Sequence, residues 1–594
     1  MAVVVVPPFD PARYAERGAV GLMVPGIGAT VTRASALAAL ERGKATNTRL
    51  GGTPHGRILV RPSKEPGSQV TLYVSLPPPG RTPNQHRYPV AVVGCRFHGV
   101  LTSSVTRLRG LIFVADVAPA AVHLGDGGCR ASPLGWRPSK DAGGELQRLD
   151  RRIARVHDAR GWTVVAVIVT VGVLGLFGSP GVIGCVTAVV ASLVLSAAGV
   201  GGFWALLLGV VGITVALALA LPTRRIAPLV IVAFFVAFLC VLLVGTRINS
   251  LAVLGARPDS GARFYGVTNE LETLLLAPTL VAAAAEGLPW FVGVAALALV
   301  TVGWSKAGAD GGGLVVYAVA LTVLAVRLRG VALTVRSAVA VAVGVVALVL
   351  ALVGLDAALG GSSHVTHAVG TGPGSVLGDL GRRLHLSYLA VTSSWGSGAE
   401  FLAGLAVLVG VAAVSARGPR MQAFLAALAV SFVVNDTPID IAALGALGCW
   451  TLARWETVDS RAMRRPVVLF AAVVLVLTAA GCGSEGAVRA LPNTVVGTVK
   501  LAAPGKGLFT SNGCNGCHTY KPANSTGTIG PDLGKLPQYA KQAKQPLDKF
   551  VRQSISDPNA YVQPGFSKGV MPSFKQLSAS DLNDLVQFLT KPSG

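Results

Sequence analysis

Apolar residues are spaced in three different ways along the chain, and each spacing predicts a different kind of structure. Over residues 1 to about 150 they fall in short runs, MAVVVVPPF, GRILVRP, QVTLYVSLP, YPVAVVG and GLIFVADVAP, separated by Gly- and Pro-rich turns. Such runs predict the strands of a soluble α/β-like domain. Between residues 162 and 481 the runs lengthen toward the span of a bilayer: 162–178, 182–200, 203–221, 226–245, 272–286, 288–304, 313–326, 331–355, 399–415, 421–434, 438–454 and 467–481. They predict an all-α polytopic transmembrane bundle of about twelve helices, several of them short or Gly-rich. Toward the C-terminus the spacing becomes amphipathic: Leu582, Leu585, Val586 and Leu589 recur at helical intervals, and Ser578 with Asp581 resembles a capping box. The fold class expected is a multidomain membrane protein. Its parts are a soluble segment (1–150), a polytopic region (160–460), a signal or anchor helix (463–482), a linker (483–501) and a small all-α domain (502–594).

Composition agrees with a membrane protein. Of 594 residues, 52% are hydrophobic and only 13% charged, and the mean hydropathy is +0.60. The net charge of +23 comes from basic residues clustered in short loops between apolar runs, which is topology signalling. No basic stretch is interleaved with aromatics, so no nucleic-acid partner is expected. Among the eight cysteines, Cys185, Cys240 and Cys449 lie within apolar runs and read as packing residues. Cys95 and Cys129 lie in the soluble segment, where export would permit a disulfide without requiring one.

The remaining three cysteines carry more chemistry. Cys514-Asn515-Gly516-Cys517-His518 is the C-x-x-C-H of covalent c-type haem attachment. Two thiols three positions apart reach the two vinyl groups on one porphyrin edge, and the adjacent histidine comes under the iron. A zinc knuckle needs further ligands, and neither Cys nor His follows His518. Met571, in the loop GVMPSF, is the only methionine after Cys514 and so the one thioether of this domain available as second axial ligand. Pro531 lies where a rigid loop can hold the His518 ring through a carbonyl. On these motifs the last ~90 residues resemble a small class I bacterial cytochrome c, like the domains of Gram-positive lipoproteins and some oxidase subunits. The resemblance implies a helical bundle around one covalent haem c. It places thioethers at Cys514 and Cys517, the iron-binding metal ligands at His518 and Met571, and the proximal loop residue at Pro531. From Cys482 onward, twelve Lys and Arg face six Asp and Glu; the excess suits docking to an acidic reductase or oxidase.

Haem c is attached outside the bacterial membrane, so the C-terminal domain is expected on the extracytoplasmic side of a multi-pass cell-membrane protein. Counting back, RWETVDSRAMRR, SARGPR (415–420), RLRGVALTVR (327–336) and TRR (223–225) fall inside, and all are basic. The basic flank RRIARVHDAR would be external and breaks this pattern. The loops 254–272, 305–313 and 435–440, with the His364/His367 loop, fall outside. Asp259, Arg263, Glu270, Glu272, Asp310, Asn435 and Asp436 would then line one outer-face site, unless they are simply solvated loop residues. The middle region resembles uncharacterised polytopic proteins of high-GC Gram-positive bacteria through GARFYG…NE and its ND(S/T)-type stretch. That resemblance implies architecture and no activity.

The stretch LTSSVTRLRGLIFVADVAPAAVHL resembles the late strand-turn-helix of alkaline-phosphatase-like domains. The two-metal Asp/His cluster those enzymes need is not recoverable around His55, His86, His98 and His123, so a degenerate, non-catalytic relative with a structural Asp116 is implied. No export signal precedes Met1, and translation from further upstream is expected.

Two functions follow. The first is a membrane-anchored cytochrome passing single electrons between a respiratory reductase and a terminal oxidase. The alternative is a polytopic enzyme or transporter of a lipid-linked or anionic substrate with a cytochrome appended. Between the halves lies MRRPVVLFAAVVLVLTAAGCGSE (463–485), with the charged, apolar and small-residue order of a lipoprotein signal ending at Cys482. It reads either as a lipidation and cleavage site at a junction of two neighbouring genes, joined by fusion or by gene calling, or as a last spanning helix with a chance cysteine. Cleavage before Cys482 predicts a haem-stained membrane band of roughly a fifth of the chain on a denaturing gel; a full-length band would establish one fused product.

Overall fold

The computed structural model describes residues 2–43, 45, 60–61, 70–125, 134–221, 224–261, 263–359, 373–457, 505, 508–509, 512–523, 525–575, 577 and 579–590. The predicted span 467–481, Cys482, the linker and the His364/His367 loop lie outside the described residues.

The N-terminal runs form strands β1 (Ala2–Val5), β2 (Gly18–Val24), β3 (Thr30–Thr32), β4 (Val60–Arg61), β5 (Val70–Val74), β6 (Arg81–Pro83), β7 (Tyr88–Gly94), β8 (Gly99–Ser103), β9 (Leu111–Phe113) and β10 (Leu134–Arg137). Eight of them make one mixed sheet, ordered β10-β8-β2-β7-β5-β1-β4 with β9 also beside β2. Strand β2 is antiparallel to β7 on one edge and parallel to β8 and then β9 on the other. All its residues are buried, as the continuous run GAVGLMV requires of a strand covered on both faces. Helices α1 (Ala12–Ala15), α2 (Arg33–Arg42) and α3 (Val117–Gly125) connect the strands. Asp116 is structural here: it accepts from Ser103 Oγ at 2.7 Å and from the Phe113 N–H at 2.9 Å. Burial pushes its carboxyl up to about 6 against those two hydrogen bonds. Cys95 is disulfide-bonded, while Cys129 lies outside the described residues.

Helix α4 (Ala142–Gly175) starts in this domain and continues without a break into the apolar region. Leu146, Leu149 and Ile153 belong to the core of the sheet domain, and Val156 onward belongs to the core of the bundle. The expected bounds separate a soluble segment ending at 150 from a polytopic region starting at 160; one helix runs through both and serves both cores. This accounts for the flank RRIARVHDAR. Two of its four arginines act structurally: Arg152 Nη2 donates to Ser196 Oγ at 3.0 Å, and Arg160 is 7% exposed and bonded to backbone carbonyls.

Every predicted span between 162 and 454 is helical. The helices are α4, α5 (Ser179–Ala197), α6 (Phe203–Ala220), α7 (Ala227–Val244), α9 (Asn269–Ala283), α10 (Leu288–Gly303), α11 (Gly311–Leu328), α12 (Val335–Ala358), α14 (Trp395–Val414), α15 (Pro419–Val434) and α16 (Pro438–Thr457). By length and apolarity, seven of the described helices are able to cross a membrane, and α10 and α15 are shorter apolar helices. Helix α9 is buried from Glu270 through Ala283, and α16 nearly so, which makes them the axis of the bundle. The outer ring turns large apolar side chains outward, among them Trp204 at 67% and Leu208 at 63% exposure. Two further helices were not foreseen: the short α8 (Thr246–Ser250), and α13 (Pro373–Val391), whose mixed polarity hides it from a hydropathy reading.

Three of the loops expected on the outer side, 254–272, 305–313 and 435–440, share one end of the bundle. The Val267 N–H donates to Gly308 O at 2.8 Å, and Asn269 Nδ2 lies 3.1 Å from Thr437 Oγ1. At the opposite end Arg420 Nη2 donates to Ala284 O at 3.1 Å and Arg454 Nη2 to Leu176 O at 2.7 Å. The sheet domain sits on the first of these ends. Phe264 packs edge-on to Phe113 with centroids 5.3 Å apart, and Arg107 covers the Tyr265 ring at 3.8 Å.

The C-terminal domain contains α17 (Cys514–Cys517), α18 (Leu536–Gln542), α19 (Leu547–Ser556) and α20 (Ala579–Thr590). Beside these helices runs a two-stranded ladder, β11 (Thr519–Tyr520) with β12 (Ser525–Thr526), so the all-α expectation is met only in its larger part. Leu585, Val586, Phe588 and Leu589 of α20 pack with Phe509, Tyr520, Phe550 and Ile555 in one core. The side chains of Ser578 and Asp581 lie outside the described residues.

Asn84, 2% exposed, joins the sheet domain to the bundle loop: its Nδ2 lies 2.9 Å from each of Gly26 O, Gly28 O and Ser260 O. Asn84→Ala leaves these carbonyls short of a donor and is expected to cost about 1–3 kcal/mol. The check is thermal unfolding together with proteolytic nicking of the sheet domain.

Candidate functional site

The C-x-x-C-H segment folds as a single helical turn. The His518 N–H donates to Cys514 O at 3.0 Å, and His518 then turns extended. Positions i and i+3 of a turn share a face, so both thiols are presented along one edge of the chain. Burial pushes the Cys514 thiol up from its ordinary value. The imidazole of His518 is 7% exposed and lies 2.8 Å from Pro531 O through Nδ1. A carbonyl can only accept, so Nδ1 carries the proton and Nε2 keeps its lone pair. Burial also pushes the imidazole pKa down, while the Pro531 carbonyl pulls it up.

Gly530 makes this geometry possible. Its N–H donates to Cys517 O at 2.7 Å, and a Cβ there would lie 2.5 Å from His518 Cε1. On the other side Ser525 Oγ donates to His518 O. The ring is thus held edge and face by backbone, with Nε2 as its one uncommitted nitrogen.

Met571 is half-buried in a loop tied to the end of α19. The Phe574 N–H donates to Ile555 O at 3.1 Å, Ser573 Oγ to Ser556 O at 2.5 Å, and the Gly569 N–H to Asn559 Oδ1 at 2.8 Å. Apolar side chains stand in the open beside both segments: Ile529, before Gly530, is 60% exposed, and Val570 and Phe566, before Met571, are 56% and 39% exposed. The donor set fits a covalently attached haem: two thiols on one turn, an oriented imidazole lone pair, and a thioether on a braced loop.

The outer-loop residues other than Asp436 divide into two groups whose acidic members are buried. In the first, His157 Nδ1 meets Asp259 Oδ2 at 2.5 Å, and Glu270 is paired with both Arg257 and Arg160, the latter at 3.6 Å. Burial alone would push the Asp259 carboxyl up; the His157 hydrogen bond and the Arg160 charge hold it below its ordinary value. In the second, Arg263 Nη2 reaches Asp310 Oδ1 at 3.3 Å, and Asn435 Nδ2 donates to Glu272 Oε2 at 3.0 Å. Asp436 stands aside, 3.3 Å from Asn269 Nδ2. His157, Arg160, Arg257 and Asn269 were missed as members. The broken charge rule at RRIARVHDAR was the signal that could have found the first two. Among the described residues, no three His, Cys, Asp or Glu side chains are grouped to hold a metal ion.

Residues 502–592 match the family model described as Cytochrome c. No curated protein and no solved structure matches the chain. The family match carries covalent haem c binding and electron-transfer capacity, and it is confined to that C-terminal segment.

Gly530→Ala is expected to drive a methyl group into the His518 ring and break its bond to Pro531. The readout is the haem content and low-spin spectrum of the purified full chain, both of which should fall; an unaltered spectrum would refute the close packing.

Proposed function

We propose that the chain is a membrane-anchored c-type cytochrome that passes single electrons between a respiratory reductase and a terminal oxidase on the outer face of the membrane. The observation that carries this reading is the oriented His518 directly after the Cys514–Cys517 turn, in a segment matching cytochrome c. Bound there through Cys514 and Cys517, haem c would supply a one-electron Fe(III)/Fe(II) couple. His518 would hold the iron through Nε2, and Pro531 O would keep that ring from rotating. Met571 would supply the second protein ligand, a neutral thioether that favours the reduced state.

Anchoring rests on the seven apolar helices and their exposed outer faces. Lipidation of Cys482, with cleavage before it, would instead anchor the haem domain by its own lipid, apart from those helices. The gathering of Arg420 and Arg454 at one end of the bundle supports that end as cytoplasmic, and the opposite end as the side of haem attachment. An exposed apolar rim at Phe566 and Val570, flanked by the exposed Lys568, suits brief docking on an acidic partner.

The alternative, a polytopic enzyme or transporter of an anionic or lipid-linked substrate, gains less support. Arg257, Arg160 and Arg263 already face Glu270 and Asp310, so an anion would have to displace internal carboxylates.

Met571→Ala in the full chain is expected to abolish the weak far-red iron–sulfur charge-transfer band. It should also lower the potential by a sizeable part of the about 0.8 V that axial ligation spans. Redox titration with optical detection checks both. Persistence of the band would remove Met571 as ligand.

A further inference from the structure

The second outer-end group holds three acceptor oxygens with no hydrogen-bond partner: Glu272 Oε1, Asp310 Oδ2 and Asn435 Oδ1. Their residues are 0%, 2% and 1% exposed, so bulk water does not serve them. The other polar atoms of the same side chains are engaged. Glu272 Oε2 accepts from Asn435 Nδ2, which also lies 2.9 Å from Ser431 Oγ. Asp310 Oδ1 accepts from the Gly313 N–H at 3.2 Å and from Arg263 at 3.3 Å. Tyr317, on the adjoining turn of α11, spends its hydroxyl proton on the backbone carbonyl of Glu272. Exchanging the amide atoms of Asn435 would set its oxygen against the Glu272 carboxylate, so the orientation is determined.

The three oxygens belong to one locale at the first turn of α11. A Cβ on Gly312 would lie 2.2 Å from Asn435 Oδ1, and one on Gly313 would lie 3.0 Å from Asp310 Oδ2. Asp310 and Arg263 are the charged neighbours that act on Glu272. Two carboxylates against one guanidinium leave a single negative charge out of water, a state that needs one compensating positive charge.

We propose that Glu272, Asp310 and Asn435 bind one hard monovalent cation, sodium, at the outer end of the bundle. A proton on Glu272 is the simpler neutraliser, but it supplies one donor and serves at most one of the other two oxygens. A sodium ion accepts lone pairs from all three, as oxygen-only sites of hard cations do. A divalent ion would bring one charge too many. The site lies wholly within residues 263–435, so its failure leaves the electron-transfer reading intact, and the reverse also holds.

The experiment is equilibrium binding of radiolabelled sodium to the purified full chain, with choline as the competing cation at equal ionic strength. Saturable binding of one sodium per chain is expected, displaced by unlabelled sodium and not by choline. Glu272→Gln and Asn435→Ala should each weaken it about tenfold or more. Absence of saturable binding to the native chain overturns the proposal whether or not the variants fold. So does equal displacement by choline, or affinity unchanged in both variants. A thermal stability that follows pH and ignores sodium would assign the charge to a proton and overturn it equally.

Discussion

Arg160 lies well inside the bundle along α4, 7% exposed, and a guanidinium that far from water has to be bonded around its whole rim. Its partners are the carbonyls of Gly255 and Ala256 and the carboxylate of Glu270. Those three contacts set the path of the loop from Leu251 to Thr268. With Gly255 and Ala256 drawn onto α4, Ser260 reaches Asn84 and Phe264 reaches Phe113 in the sheet domain. With Glu270 held, the first turn of α9 is placed and Glu272 is carried inward beside Asn435. The outer end is therefore arranged around one charge that could not be left unpaired.

The haem segment follows the same rule on a smaller scale. His518 is oriented by a backbone carbonyl, as Arg160 is, and in both cases the carbonyl belongs to a loop that has no regular structure of its own. The difference lies in what the orientation serves. Around Arg160 both terminal nitrogens are engaged in joining elements, whereas His518 is bonded through one nitrogen so that the other stays available. One arrangement ends in packing and the other in chemistry.

How much of this was legible depended on distance along the chain. Cys514, Cys517 and His518 fall within five residues, and Pro531 follows in the next loop, so local spacing revealed the chemistry. The apolar spans were equally legible, because burial in lipid or in a bundle axis demands the same uninterrupted run. Pairings across long separations were not. Glu272 and Asn435 lie 163 residues apart and Arg263 and Asp310 lie 47 apart, and nothing local marks either pair. The sequence showed that these residues were polar in an apolar setting, not which of them met. Helix α13 escaped for another reason: Arg383 and Ser387 turn toward Val434 and Asn435, so a helix lying across polar backbone carries too little apolar character to be read as one.

Boundaries between soluble and membrane domains ordinarily fall in flexible linkers. Here the boundary falls inside α4, 34 residues and about 51 Å long, whose first turns belong to one core and whose remainder belongs to another. The helix behaves as a rigid lever: a tilt of the sheet domain is transmitted to the middle of the bundle, with no hinge to absorb it. It also means that the sheet domain is not a detachable module in inheritance. Recombination near residue 150 would break a helix rather than exchange a domain. The two cores are bound to change together, while the C-terminal domain shares no such helix with them among the described residues.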